Sequence, residues 1–275
     1  MIAFPNCKIN LGLRILQKRI DGYHDLETIF YPLPLKDIVE VISSKNGMVF
    51  TNSGITVNGG PKENLCYKAY ELLNKDFPQL HSVQLHLHKA IPIDAGLGGG
   101  SADGAFTLKL LNQKFNLGIS TEKLKDYALQ LGSDCPFFII NKPCYATGRG
   151  ELLEEINLDL SAYKFFIVNP GISIGTAWAF SQLDERSRSN KENNLKEVIQ
   201  QPVETWKNKM VNDFENIVFQ KHQEIKTIKE KLYEAGALYS AMSGSGSTVF
   251  GIFKKENMLQ LTFPDNYFIK EIEMQ

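Results

Sequence analysis

Four glycines in five positions, Gly96, Gly98, Gly99 and Gly100, lie between a strand pattern and a helical one, and no other segment constrains the chain as much. With 21 glycines in 275 residues, chance supplies such a window about 0.04 times. Upstream, Val83, Leu85 and Leu87 alternate with Gln84, His86 and His88 until Ile91-Pro92, where proline cannot continue a ladder. Downstream, Phe106, Leu108, Leu110 and Leu111 predict a helix over 102–115. A strand, a glycine loop and a helix in that order make an anion site. Glycine lets the backbone approach an anion closely, and the helix start adds unpaired amides and the positive end of its dipole. Ser101 adds a hydroxyl, so the assembly suits the phosphates of a nucleotide, against the alternative of a flexible connection. The sequence G-x-x-x-x-G-K-[ST] is absent, Ser101 stands where the dinucleotide fingerprint needs glycine, and neither H-R-D nor D-F-G occurs.

The remaining elements are read from period and punctuation. Residues 7–15 alternate, with Cys7, Ile9, Leu11, Leu13 and Ile15 on one face and Lys8, Asn10, Gly12 and Arg14 on the other, which predicts a half-buried strand. Residues 37–42 read as a strand, 46–60 as a hairpin and 64–77 as a helix. Ser120 caps a helix ending before Gly132, and an apolar strand is expected over 137–140. Further strands are expected over 163–169, 237–242 and 248–253, with one long helix over 214–235 and an exposed polar loop from Asp184 to Asn194. Mixed elements of this kind indicate α+β architecture. A boundary near residue 157 gives domains 1–156 and 157–275.

Lys8 and Asn10 share a strand face about 7 Å apart and can converge on one ligand. Alone, such a lysine reads as solvated surface. Asp134, after a helix and before Pro136, is placed to accept a proton from a substrate hydroxyl, or is simply a turn-former. Asp21-Gly22-Tyr23-His24 sets an aromatic ring and an imidazole beyond a turn, suited to reading a base or sugar, or else an exposed hairpin tip. His86, His88 and His81 lack a ligand of clear metal spacing and are taken as polar strand residues. Trp178, Phe180, Phe165 and Phe166 read as core.

Composition narrows the partners. Thirty Lys+Arg against 31 Asp+Glu, without a block of like charge, argue against the basic footprint of a nucleic-acid binder or a polybasic membrane surface. No apolar run approaches the roughly 18 residues of a membrane span. Cys7, Cys66, Cys135 and Cys144 form no C-x-x-C pair and read as buried reduced thiols of a cytoplasmic protein. Small-molecule partners are expected, and the sequence leaves the oligomeric state open.

Three segments together resemble the galactokinase, homoserine kinase, mevalonate kinase and phosphomevalonate kinase (GHMP) superfamily. Pro92-Ile93-Asp94-Ala95-Gly96-Leu97-Gly98-Gly99-Gly100-Ser101-Ala102 is similar to its phosphate loop, Ser243-Gly-Ser-Gly-Ser247 to its C-terminal glycine motif, and Asn6-Cys-Lys-Ile-Asn10 to its N-terminal strand. Lys8-Ile-Asn10, Asp21-Gly-Tyr-His24 with Glu27-Thr28, and Gly132-Ser-Asp-Cys-Pro136 resemble the branch whose acceptor is a cytidine diphosphate derivative of methylerythritol.

The resemblance implies a two-domain α+β kinase, with an N-terminal domain like the second domain of ribosomal protein S5, a ferredoxin-like C-terminal domain and an active site in the cleft between them. It implies phosphorylation of the acceptor's 2-hydroxyl by ATP, in the non-mevalonate route to isoprenoid precursors. Lys8 and Asp134 would be the catalytic pair, and residues 92–102 would wrap the ATP phosphates, with Mg²⁺ as the nucleotide's companion. Tyr23 and His24 would hold the cytosine together with Phe180, while Asn10 and Thr176 would add polar contacts. Two departures stand out: Ala102 replaces a second serine, and Asp94 places a carboxylate where relatives carry a small residue. Rival readings are a superfamily kinase for homoserine, mevalonate or a sugar, a nucleotide-binding regulatory module, and a phosphorylation-coupled decarboxylase.

Overall fold

The computed structural model describes residues 1–45, 47–57, 59–183 and 194–274. The expected loop over 184–194 therefore lies outside the described residues except for Asn194. Two compact units divide the chain, each discontinuous in sequence. One takes Met1–Cys7, Pro34–Ile93 and Gly98–Lys142, and the other takes Lys8–Leu33, Asp94–Leu97 and the chain from Pro143 onward.

In the first unit, β6 (Val83–Lys89) buries Val83, Leu85 and Leu87 as the alternation predicts, and the same parity turns Lys89 inward. It lies inside a sheet ordered β1 (Ile2–Ala3), β4 (Ile38–Ser43), β6, β5 (Val49–Gly54). β4 pairs antiparallel with β6, bringing Val39 opposite Leu87. The hairpin expected over 46–60 is not formed: β5 lies on the far side of β6 from β4 and pairs parallel with β6. Gly and Asn residues mark where a chain turns, not which strand it rejoins.

α1 (Leu65–Asp76) starts where the Asn64 side chain accepts the Cys66 amide at 2.9 Å. It packs on α2 (Gly99–Lys114), and α2 in turn packs on β4. α2 begins inside the glycine run, three residues before the expected Ala102, with Gly98 as its left-handed N-cap. α3 (Thr121–Leu131) is capped by Ser120 as expected. Residues 137–140 are not a strand but the end of α4 (Cys135–Ile140). Proline in the first turn of α4 lacks only an amide that would have been unpaired anyway, and an apolar run this short carries no readable period.

In the second unit, β2 (Asn6–Lys18), β3 (His24–Lys36), β7 (Cys144–Thr147) and β8 (Leu152–Glu155) form one sheet in that order. β2 is buried on both faces rather than one. Its Lys8 and Leu13 amides donate to the Leu97 and Val211 carbonyls, and the Ile15 amide donates to Asp213 Oδ2. The polar face is thus enclosed by other segments of the unit instead of water.

The second sheet is antiparallel, ordered β10 (Tyr239–Met242), β11 (Val249–Lys254), β9 (Tyr163–Asn169), β12 (Phe268–Glu273). Counted from β9 as first strand, the order reads 4-1-3-2 from β12 across, that of a ferredoxin-like sheet. Turns, not a second helix, join β11 to β12. After the short α5 (Thr176–Ser181) and α6 (Leu195–Val198), the long helix expected over 214–235 is two, α7 (Phe214–Lys221) and α8 (Gln223–Glu234), broken at His222 with φ −129° and ψ 77°. Apolar spacing runs on through the break, because Val218, Ile225, Ile228 and Leu232 all enter one core with Leu13, Phe166, Val168, Met242 and Phe253. Phe165 and Phe166 are core, as expected, while Trp178 and Phe180 are only partly buried against it. All four cysteines are buried, and none forms a disulfide among the described residues.

Candidate active site

In the second unit β2 delivers Lys8 and Asn10 to one point. Lys8 is only 4% exposed and Asn10 2%. Lys8 Nζ donates to Asn10 Oδ1 at 2.6 Å and stands 4.6 Å from the centre of the Phe30 ring. Asn10 Nδ2 donates to Thr28 Oγ1 at 2.9 Å, which donates onward to the Gly12 carbonyl. This relay fixes the amide with its oxygen toward the lysine. A buried, oriented ammonium in low dielectric suits an anion or a developing negative charge.

The same unit holds residues 94–97 of the glycine loop against Ser243–Ser247. The Ser243 hydroxyl donates to the Gly96 carbonyl at 2.8 Å and accepts the Asn10 amide at 3.3 Å, so Lys8, Asn10 and the two glycine segments form one network. Gly96 has φ +75°, and a Cβ there would lie 2.0 Å from the Ser243 carbonyl oxygen, so this approach requires glycine. Asn212 clasps the second segment, its Nδ2 donating to the Met242 and Gly244 carbonyls at 2.7 and 2.8 Å while its Oδ1 accepts the Phe214 amide. Sequence reasoning missed Asn212; the available signal was an Asn-Asp pair directly before an apolar helix. Asp94 is exposed and strained at φ +51°.

Tyr23 is 55% exposed at the tip between β2 and β3. His24 stacks on Phe180 with centroids 5.0 Å apart and planes 18° from parallel, and Phe180 meets Phe214 edge-on. The structure thus joins two of the three aromatic residues singled out in the sequence. Thr176, the first residue of α5 (Thr176–Ser181), has its hydroxyl 3.2 Å from that of Ser245. Arg149, which no motif flagged, sets its guanidinium 4.8 Å from the Tyr23 ring centre.

The first unit holds Asp134 and the rest of the loop. Asp134 occupies the N-cap position of α4, and the next residue, Cys135, hydrogen-bonds Ser101 on α2. Burial pushes the Cys135 thiol up to about 12, with the Ser101 hydroxyl opposing. Pro92 and Gly98 are half-buried, Ile93 and Gly100 exposed, and Ala102 fully buried. Behind them lies an ion cluster that sequence reasoning also missed, although the inward parity of Lys89 was its signal.

Lys89 Nζ pairs with Asp37 and, at 2.8 Å, with Asp103. Asp37 Oδ1 accepts the Ala90 and Ile91 amides at 2.6 and 2.8 Å, fixing the chain as it enters the loop. A Cβ on Gly99 would stand 2.9 Å from Lys89 Nζ and 3.0 Å from Ile91 Cγ2, so the ammonium lies against the first residue of α2. Burial pushes the Asp103 carboxyl up to about 8, against the pull of Lys89, and its Oδ1 has no hydrogen-bond partner among the described residues. Burial lowers Lys89, but the two carboxylates outweigh it and raise the ammonium's pKa. Among the described residues no group of three His, Cys, Asp or Glu side chains could hold a metal ion. His86 and His88 instead hydrogen-bond Thr51 and Ser53.

Comparison with known proteins follows the same lines. The family model of the GHMP kinases N terminal domain matches residues 64–142, and that of the GHMP kinases C terminal domain matches residues 194–260. A 4-diphosphocytidyl-2-C-methyl-D-erythritol kinase of Bacteroides fragilis is 51% identical over 94% of this chain and 94% of its own. One of Parabacteroides distasonis is 49% identical over 93% and 92%. A crystal structure of 4-(cytidine 5'-diphospho)-2C-methyl-D-erythritol kinase is similar with a TM-score of 0.82 at 27% identity, covering 100% of both chains.

Proposed function

The chain belongs to the GHMP kinases, within the family of 4-diphosphocytidyl-2-C-methyl-D-erythritol kinases, and from that premise we propose that it phosphorylates the 2-hydroxyl of 4-diphosphocytidyl-2-C-methyl-D-erythritol with ATP. The observation that carries this reading is the 51% identity across 94% of both chains. It is an ATP-dependent small-molecule kinase with the two-domain GHMP fold. The step places it in the non-mevalonate supply of isoprenoid precursors. The two family matches fall one on each side of residue 157, in line with sequence domains 1–156 and 157–275, although the two compact units interleave along the chain. Four buried cysteines outside any disulfide suit a reducing cytoplasm.

The proposed roles follow from local chemistry. Residues 92–102 wrap the ATP phosphates with the amides at the start of α2 and the glycine backbone. Asp134 takes or orients the proton of the acceptor hydroxyl. The hydroxyl oxygen bonds to the γ-phosphorus as the bond to the bridging oxygen breaks, and ADP leaves. Lys8 offsets the charge, aimed by Asn10 and Thr28. The cytosine stacks in the aromatic group of Tyr23, His24 and Phe180, and Asn10 and Thr176 add polar contacts. Mg²⁺ would enter with the nucleotide, with the Ser101 hydroxyl as the loop's side-chain oxygen for it, and would offset phosphate charge there.

The test is ADP release measured against an acceptor panel of 4-diphosphocytidyl-2-C-methyl-D-erythritol, homoserine, mevalonate and galactose. The cytidine-bearing acceptor is expected to be preferred, and Asp134→Asn to lower kcat by about 10²–10⁴-fold. Preference for another acceptor, or ADP release without one, overturns the assignment.

A further inference from the structure

Arg149 sits in the turn between β7 and β8, outside every motif named in the sequence. Its backbone amide donates to Glu151 Oε2 at 2.5 Å and its Nε to Oε1 at 3.3 Å. The turn is tied to β3 by the Leu26 amide, which donates to the Gly148 carbonyl at 2.8 Å. The guanidinium so anchored lies over the ring of Tyr23. The backbone of Tyr23 is fixed separately: its amide donates to Asp21 Oδ1 at 3.1 Å, and its carbonyl accepts the Arg19 amide at 2.8 Å. Ring and backbone are therefore held from two directions by residues that need not touch a ligand.

An exposed tyrosine on a hairpin tip is a poor stacking surface when left to itself, because the rotamer freedom it loses on binding subtracts from affinity. We propose that Arg149 is a positioning residue for the acceptor: it stacks on one face of the Tyr23 ring, holds that ring ready, and leaves the opposite face to receive the nucleobase. This deepens the function proposed above and rests on it for the identity of the base-bearing acceptor. The Glu151 pairing favours this role over direct capture of the diphosphate, since the carboxylate already neutralises the guanidinium. The delocalised cation also suits an aromatic face better than an ammonium does.

The test combines steady-state kinetics on 4-diphosphocytidyl-2-C-methyl-D-erythritol with calorimetric titration of cytidine 5'-diphosphate. It uses the wild type, Arg149→Ala, Arg149→Lys, Tyr23→Ala and the Arg149→Ala, Tyr23→Ala double variant. Arg149→Ala is expected to raise the acceptor KM and the cytidine diphosphate Kd about 3–10-fold, with kcat and the ATP KM within about two-fold. Arg149→Lys should recover part of the loss, a rescue that misfolding would not show. On the Tyr23→Ala background, removing Arg149 should add less than about two-fold. An unchanged KM and Kd in Arg149→Ala, or a full effect on the Tyr23→Ala background, overturns the proposal; the second result would make Arg149 a direct ligand contact. If the wild type ignores this acceptor yet binds cytidine diphosphate with the Arg149–Tyr23 coupling, the functional assignment falls and the positioning role stands. Turnover of the acceptor with an unaltered Arg149→Ala KM gives the reverse.

Discussion

Replacing Gly96 by alanine puts the packing of the two glycine segments to a quantitative test. The new methyl would lie 2.0 Å from the Ser243 carbonyl oxygen and 3.2 Å from that of Gly246, and the residue would keep φ near +75°. The left-handed backbone costs a residue with a Cβ about 1–2 kcal/mol. Ser243 cannot yield cheaply, because its hydroxyl bonds Gly96 and Asn10, its amide bonds Thr248, and Asn212 holds the carbonyls on either side. Breaking two of these bonds adds about 1 kcal/mol each, for a total of about 3–5 kcal/mol with residual overlap. At about 2–4 °C per kcal/mol for a chain of this size, the melting temperature should fall by about 10 °C. Circular dichroism melts provide the assay, and the ATP KM should rise in the same variant. Gly100→Ala is the control: its Cβ would meet nothing within 4 Å, and alanine is the better helix former, so its melting temperature should hold or rise. Equal melting temperatures for Gly96→Ala and the wild type would refute the packing argument.

Three further outcomes are expected. Asp103 binds its proton more tightly when folded, near 8 against an ordinary 3.8, so its contribution to stability is complete below about pH 4, shrinks as pH rises and is gone above about pH 8; Asp103→Asn should flatten this slope in melts from pH 5 to 9, and parallel slopes would contradict it. Asp94→Gly relieves a strained φ of +51° and removes a carboxylate beside the phosphate loop, so the ATP KM should fall about 2–5-fold, a result that an unchanged or higher KM would exclude. Asn212→Ala strips two buried carbonyls of their donor and should cost about 2–3 kcal/mol in urea unfolding; a loss under about 0.5 kcal/mol would show that the clasp contributes little.

What could be read from the sequence was what is local. β6 follows from alternation, β9 from an apolar run closed by Pro170-Gly171, and the start of α3 from the Ser120 cap, since period, punctuation and cap act over a few residues. The parallel return of β5 to β6, the helical state of 137–140 and the break at His222 depend on tertiary partners that no window of ten residues contains. The glycine loop, Lys8, Asn10 and Asp134 stood out by motif, and the structure adds the relay that aims Lys8 through Asn10 and Thr28. Lys89 was legible in principle from the parity of β6. Arg149 was not, because its contact with Tyr23 joins an exposed turn to a half-buried one, and periodicity leaves both unmarked.

The Ile15 amide finds its acceptor, Asp213, 198 positions later. At roughly 5–20 residues per second, a ribosome needs about 10–40 seconds to supply that carboxylate. Throughout this interval Leu13 and Ile15 lack Val218 and Phe253, two of the companions they meet in the finished core. Nascent chains stalled before residue 213 and full-length chains released from the ribosome should therefore differ in susceptibility to protease, and β2 is fully enclosed only as synthesis nears its close.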